Sequence, residues 1–169
     1  DCTTLTATTS LPASIVPASG YAAMFSGCTG IITAPELPAV GLTSYCYYSM
    51  FKGCYRLRTY PSVIGSSSTT VSANACQYMF SGCTALSGSP ELPAKKVSAS
   101  SYYGMFVGCS SSLKNAPDLP ASGLASSCYT YMFSGCTNLS GTTELSATSM
   151  SSACYDGMFV GCTKLAKTP

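Results

Sequence analysis

Apolar positions recur along this chain in short, evenly spaced clusters. The word Met-Phe-x-Gly-Cys opens at Met24, Met50, Met79, Met105, Met132 and Met158, in steps of 26, 29, 26, 27 and 26 residues. Every Phe of the chain lies in one of these words. An apolar residue usually falls three positions after the motif Cys (Leu5, Ile31, Leu57, Leu86, Leu139, Leu165) and another nine after it (Leu11, Leu37, Val63, Leu92, Leu145). One extra Ser after Cys109 moves these two to Leu113 and Leu119. A third apolar position follows five residues later, at Val16, Leu42, Val97, Leu124 and Met150. A fixed period of this size marks a stacked repeat architecture.

Two elements per repeat follow from the pattern. Leu124, Cys128 and Met132 stand at i, i+4 and i+8, one face of a short helix over 124–133, with Gly135 just past its end. The segment around Leu37-Pro38 is short, extended and bounded by Pro, so it reads as a brief strand. The predicted fold is α/β: a right-handed leucine-rich-repeat solenoid of about six repeats of 26–29 residues, with one short strand and one short helix each. Parallel strands would stack about 4.8 Å apart. Gly65-Ser66-Ser67-Ser68-Thr69-Thr70 carries the surplus of the longest repeat and is expected to bulge as a surface loop. Residues 1–169 read as a single solenoid. It opens at Cys2 and stops at Pro169 in mid-repeat without polar caps, as expected of a fragment of a longer chain.

Composition narrows the chemistry. Charged residues are 8% and the net charge is +2, so the surface is mostly Ser, Thr, Ala, Gly and Tyr. That leaves no basic footprint for nucleic acid. No apolar run approaches a membrane span, so no direct membrane insertion is expected. The 11 Cys point to an oxidising, extracellular setting. With no His and no Cys-x-x-Cys, no metal or other cofactor is expected. Nucleophile elbow, phosphate-binding loop and dinucleotide fingerprint are all missing from the sequence, which reads as non-enzymatic.

Taken together, Leu-Pro-Ala, Ala-Pro-x-Leu-Pro and Cys-Tyr-x-x-Met-Phe-x-Gly-Cys resemble the BspA-like, or Treponema pallidum type, leucine-rich repeats. The resemblance covers the whole chain, with Met standing where that family usually has Ala. It implies a secreted or cell-surface protein of host-associated microbes, used in adhesion, whose partners are proteins or glycans on a host surface. Related repeats in gut bacteriophage genes imply an alternative: a structural, decoration or host-attachment component of a virion or other large assembly, built with other copies or domains. The family carries no shared catalytic residues.

Three sets of side chains remain as candidates. Tyr47, Tyr129 and Tyr155, with Tyr21 and Tyr102, stand three before the motif Met and form a row that either binds a partner or packs between coils. Tyr48, Tyr103 and Tyr131 lie beside it and are better placed for contact. Cys46, Cys76, Cys128 and Cys154 precede the motif cysteines Cys54, Cys83, Cys136 and Cys162, and either bridge to them as disulfides or pack as buried thiols. Cys28 and Cys109 keep the motif Cys without that partner, which favours thiols. Glu36, Glu91, Asp118 and Glu144 form a carboxylate row, one per repeat. That is too sparse for calcium's six to eight oxygens, so the four read as solvated charges.

Overall fold

The six Met-Phe-x-Gly-Cys words lie one above another in the computed structural model, which describes residues 2–8 and 10–166. The chain-end positions Asp1 and Pro169 lie outside the described residues. Each repeat contributes one two-residue strand: β1 (Ile15–Val16), β2 (Gly41–Leu42), β3 (Thr70–Val71), β4 (Lys96–Val97), β5 (Gly123–Leu124) and β6 (Ser149–Met150). All pairings are parallel and join consecutive repeats, in a two-stranded sheet β1-β2 and a four-stranded sheet β3-β4-β5-β6. The register carries Val16 onto Leu42 and Val97 onto Leu124, so the third apolar position feeds one buried column from Val16 to Leu124, while Met150 at its end is exposed.

The strands therefore sit at the third apolar position, not at Leu37-Pro38. Only isolated bridges form near that segment, such as Val63 with Glu91 and Leu119 with Leu145. Proline without an N–H cannot extend a ladder there. The Gly65–Thr70 insertion falls where the sheet divides. Ser66 bonds to Ser68 and Thr69 there, and the Thr69 hydroxyl donates to Val40 O at 2.8 Å. One backbone bond, Ser72 N to Leu42 O at 2.9 Å, spans the division next to β3.

The expected helix is absent: no residue among those described is helical. Residues 18–27, 44–53, 73–82, 99–108, 126–135 and 152–161 instead form a ribbon of overlapping turns. Alternate amides bond within the coil and between coils. Tyr48 N donates to Tyr45 O at 3.1 Å and Met50 N to Tyr47 O at 3.1 Å, inside the coil. Tyr47 N, Ser49 N and Phe51 N donate to Ala75 O, Gln77 O and Met79 O of the next coil, each at 2.9 Å. A left-handed residue recurs nine, five and one positions before each motif Cys, as at Tyr45 (φ 58°), Ser49 (φ 51°) and Gly53 (φ 76°). An α-helix keeps all its bonds to itself and could not tie coil to coil. Between neighbouring coils the ribbon satisfies its alternate amides by sharing them, as buried polar groups require.

Two residues in and two out along the ribbon build the core. Met50, Met79, Met105 and Met132 are buried, and so are Phe51, Phe80, Phe106 and Phe133. The phenyl rings form one column with centroids 5.4–5.7 Å apart and planes within 13° of parallel. Each stacked pair contributes about 0.5–1.5 kcal/mol beyond its buried area.

Candidate functional site

The tyrosines divide between the inside and the outside of the ribbon. The row three before the motif Met points inward. Tyr47, Tyr102 and Tyr129 are buried, with stacked contacts Tyr21–Tyr47 at 6.2 Å, Tyr102–Tyr129 at 5.8 Å and Tyr129–Tyr155 at 5.8 Å. As contact residues Tyr47 and Tyr129 are therefore corrected: the ribbon turns them into the core, and Tyr155 is half-buried at the same row. Burial pushes the phenol of Tyr155 up from its ordinary range, as it does for Tyr47, Tyr102 and Tyr129.

Cys76 takes the tyrosine's place in the third coil and interrupts this row. The hydroxyls of Tyr47 and Tyr102 on either side, and of Ser101, are buried without a hydrogen-bond partner. The Cys46 and Cys76 thiols lie near both phenols, and burial pushes Cys46 up to about 11 and raises Cys76 well above the ordinary thiol range.

Outside the ribbon a second aromatic strip crosses four coils. Tyr45 meets Tyr48 edge to face at 5.6 Å, Tyr78 meets Tyr103 at 5.4 Å, and Tyr103 meets Tyr131 at 5.9 Å. Tyr45 and Tyr131 are exposed, and Tyr48, Tyr78 and Tyr103 are half-exposed. Lys52 Nζ lies 5.3 Å from the centre of the Tyr78 ring, within cation–π range. The structure thus brings together Tyr48, Tyr103 and Tyr131. It adds Tyr45 and Tyr78, which the sequence reading missed. Tyr78 was findable: it stands five before Cys83, as Tyr131 stands five before Cys136. Both are left-handed residues, and the next coil places Gly104 and Gly157 against their rings.

Every cysteine is a free thiol. The within-repeat bridges Cys46–Cys54, Cys76–Cys83, Cys128–Cys136 and Cys154–Cys162 are not made. Two ribbon periods separate Cys46 from Cys54, and each motif thiol is engaged elsewhere. Cys54 Sγ donates to Phe25 O at 3.0 Å, and Cys83, Cys109, Cys136 and Cys162 repeat this at 3.1–3.2 Å to the Phe carbonyl one coil back.

The carboxylates are exposed along another edge. Glu36 accepts from Ser62 N at 3.0 Å and Ser62 Oγ at 2.8 Å, and Asp118 accepts from Thr143 Oγ1 at 3.0 Å. Glu91 and Asp118 flank an open, proline-lined groove of about 470 Å³ between Pro90, Pro93, Pro117 and Pro120. Among the described residues no three His, Cys, Asp or Glu side chains come together as a metal-holding set. Nor is any helix among them long and apolar enough to cross a membrane. No protein-family model matches the chain, and no curated protein or solved structure shows significant similarity to it.

Proposed function

We propose that this chain is a solenoid of BspA-like leucine-rich repeats, with a turn ribbon in place of the family helix, serving as a non-enzymatic binding module at a cell surface. The outer tyrosine strip is its contact face, and the partner is a protein or glycan of a host surface. The observation that carries this reading is the strip itself: five tyrosines held edge to face across four coils, without a core role to explain them. Tyrosine offers a broad amphipathic surface at low entropic cost, which is why it is enriched at contact surfaces. Charge along the strip is sparse, with Lys52 over the Tyr78 ring and Asp156 on the coil after Tyr131, so it suits a neutral, hydroxyl-rich partner surface better than a strongly charged one. Modest contacts repeated on neighbouring coils add by avidity.

The test is binding of the purified chain to a glycan microarray and to immobilised extracellular-matrix proteins, beside the triple variant Tyr48→Ala/Tyr103→Ala/Tyr131→Ala. A captured ligand should lose at least about tenfold in affinity in the triple variant, while the far-ultraviolet spectrum stays unchanged. Equal binding by both proteins would move the contact face elsewhere. A chain that binds nothing, yet is found in a multi-megadalton particle from its source, would favour the virion reading.

A further inference from the structure

Cysteines occupy two columns along the ribbon. In the motif column every thiol from Cys54 onward is aimed at a Phe carbonyl one coil back. The second column lies eight residues earlier and holds Gly20, Cys46, Ala75, Ser101, Cys128 and Cys154. Only at Cys128 and Cys154 do two cysteines follow one another in adjacent coils. The backbone fixes their register: Ser127 N donates to Ser152 O and Tyr129 N to Cys154 O, each at 3.0 Å, on either side of the pair. Their neighbours Tyr129–Tyr155 and Phe133–Phe159 stack at 5.8 and 5.7 Å. A coil spacing of that size falls within the roughly 4.4–6.8 Å that disulfides span between Cα atoms. Both thiols are buried and neighbour one another, with Cys154 Sγ donating to Ser151 O at 2.8 Å. Cys46 and Cys76 do not meet this way, because Cys76 sits one place later in its coil, in the tyrosine row.

We propose that Cys128 and Cys154 are a disulfide-forming pair that staples one coil to the next when the chain folds in the presence of a small-molecule disulfide such as oxidised glutathione. One protein thiolate attacks a sulfur of the small disulfide, forming a mixed disulfide and releasing one small thiolate, which takes up a proton. The second protein thiol gives up its proton and attacks the protein sulfur of the mixed disulfide, releasing the other small thiolate. Two protein S–H bonds are lost, one S–S bond forms, and the small disulfide is reduced to two thiols. Burial, with the Cys154 thiol beside it, pushes Cys128 up to about 12, so the Cys128 thiol of the closed coil is scarcely ionised at neutral pH. The exchange therefore belongs to folding, before the coils close, and once made the link is shielded from reductant.

Mass spectrometry decides the matter. The whole chain is refolded with reduced and oxidised glutathione, blocked with iodoacetamide, and cut with trypsin and a glutamyl endopeptidase. Cleavage after Lys114, Glu144 and Lys164 leaves Cys128 with Cys136 on one peptide and Cys154 with Cys162 on another. The two peptides should be recovered covalently joined, in the Cys136→Ser and Cys162→Ser variants as in the parent. The junction should vanish in Cys128→Ser and Cys154→Ser, where serine is a natural occupant of the column, as at Ser101. Separate, fully alkylated peptides from the folded parent overturn the proposal. So does a junction that survives Cys128→Ser. If a variant fails to fold, fragmentation of the joined parent peptides locates the bridge, and a bridge between Cys136 and Cys162 overturns the proposal.

Discussion

A β-carbon added at Gly108 would clear Gly82 by about 4.0 Å, so space is not what glycine provides there. Its φ of 72° is. Gly108→Ala should therefore lower stability by about 1–2 kcal/mol, read as a shift of the urea midpoint at constant slope. A neutral result would mean that the ribbon's left-handed positions are not strained. Tyr102→Phe should act in the opposite sense. The hydroxyl is buried without a partner, so its removal should stabilise the fold by about 1 kcal/mol. A loss of stability instead would reveal a partner for that oxygen. At this scale the sequence was informative about spacing and silent about direction. Tyr47 and Tyr48 are adjacent in every respect a sequence shows, yet one is 1% exposed and the other faces outward.

The ribbon explains both what was legible and what was not in the elements. Leu124, Cys128 and Met132 are all buried on one side, as their spacing requires. A ribbon with a four-residue period and a helix with 3.6 residues per turn bury the same positions over ten residues, so periodicity alone cannot separate them. The signal that does so is the left-handed residue every fourth position. Glycine announces the last of the three in each coil, where a helix end is the ordinary reading, and the middle one only at Gly104 and Gly157. The motif cysteine column gives this element a pH dependence. Burial pushes Cys136 up to about 12, and raises Cys83 and Cys109 as well. Unfolded thiols ionise near roughly pH 8.5, so above that value the folded state holds more protons than the unfolded one. Stability should be fully present below about pH 8.5 and fall as pH rises toward the folded values, by about 1.4 kcal/mol per pH unit for each such thiol. Urea midpoints between pH 7 and 10 measure this. A flat profile would contradict thiols buried as protonated side chains.

Across the molecule, coil-to-coil contacts dominate, because each repeat touches its sequence neighbours and little else. Phe106 stacks on Phe80 at 5.6 Å and Phe133 at 5.5 Å, so Phe106→Ala should cost about 3–5 kcal/mol. The loss should appear in thermal unfolding as one lowered transition if the stack melts as a unit, and as two if it divides at the gap. The repeat and the Phe that recurs in it were plain in the sequence. The division of the sheet at Gly65–Thr70 was visible only as surplus length.

The two kinds of amide in the ribbon also differ in what must move before a proton can leave them. Tyr102, Gly104, Phe106 and Gly108 hold theirs against the following coil, whereas Tyr103, Met105 and Val107 hold theirs against their own turn. Any breathing that parts two coils without unwinding either one frees the first set and leaves the second guarded. In deuterated water the exchange rates along this stretch should rise and fall with residue parity, a sawtooth that neither a helix nor a plain strand would trace.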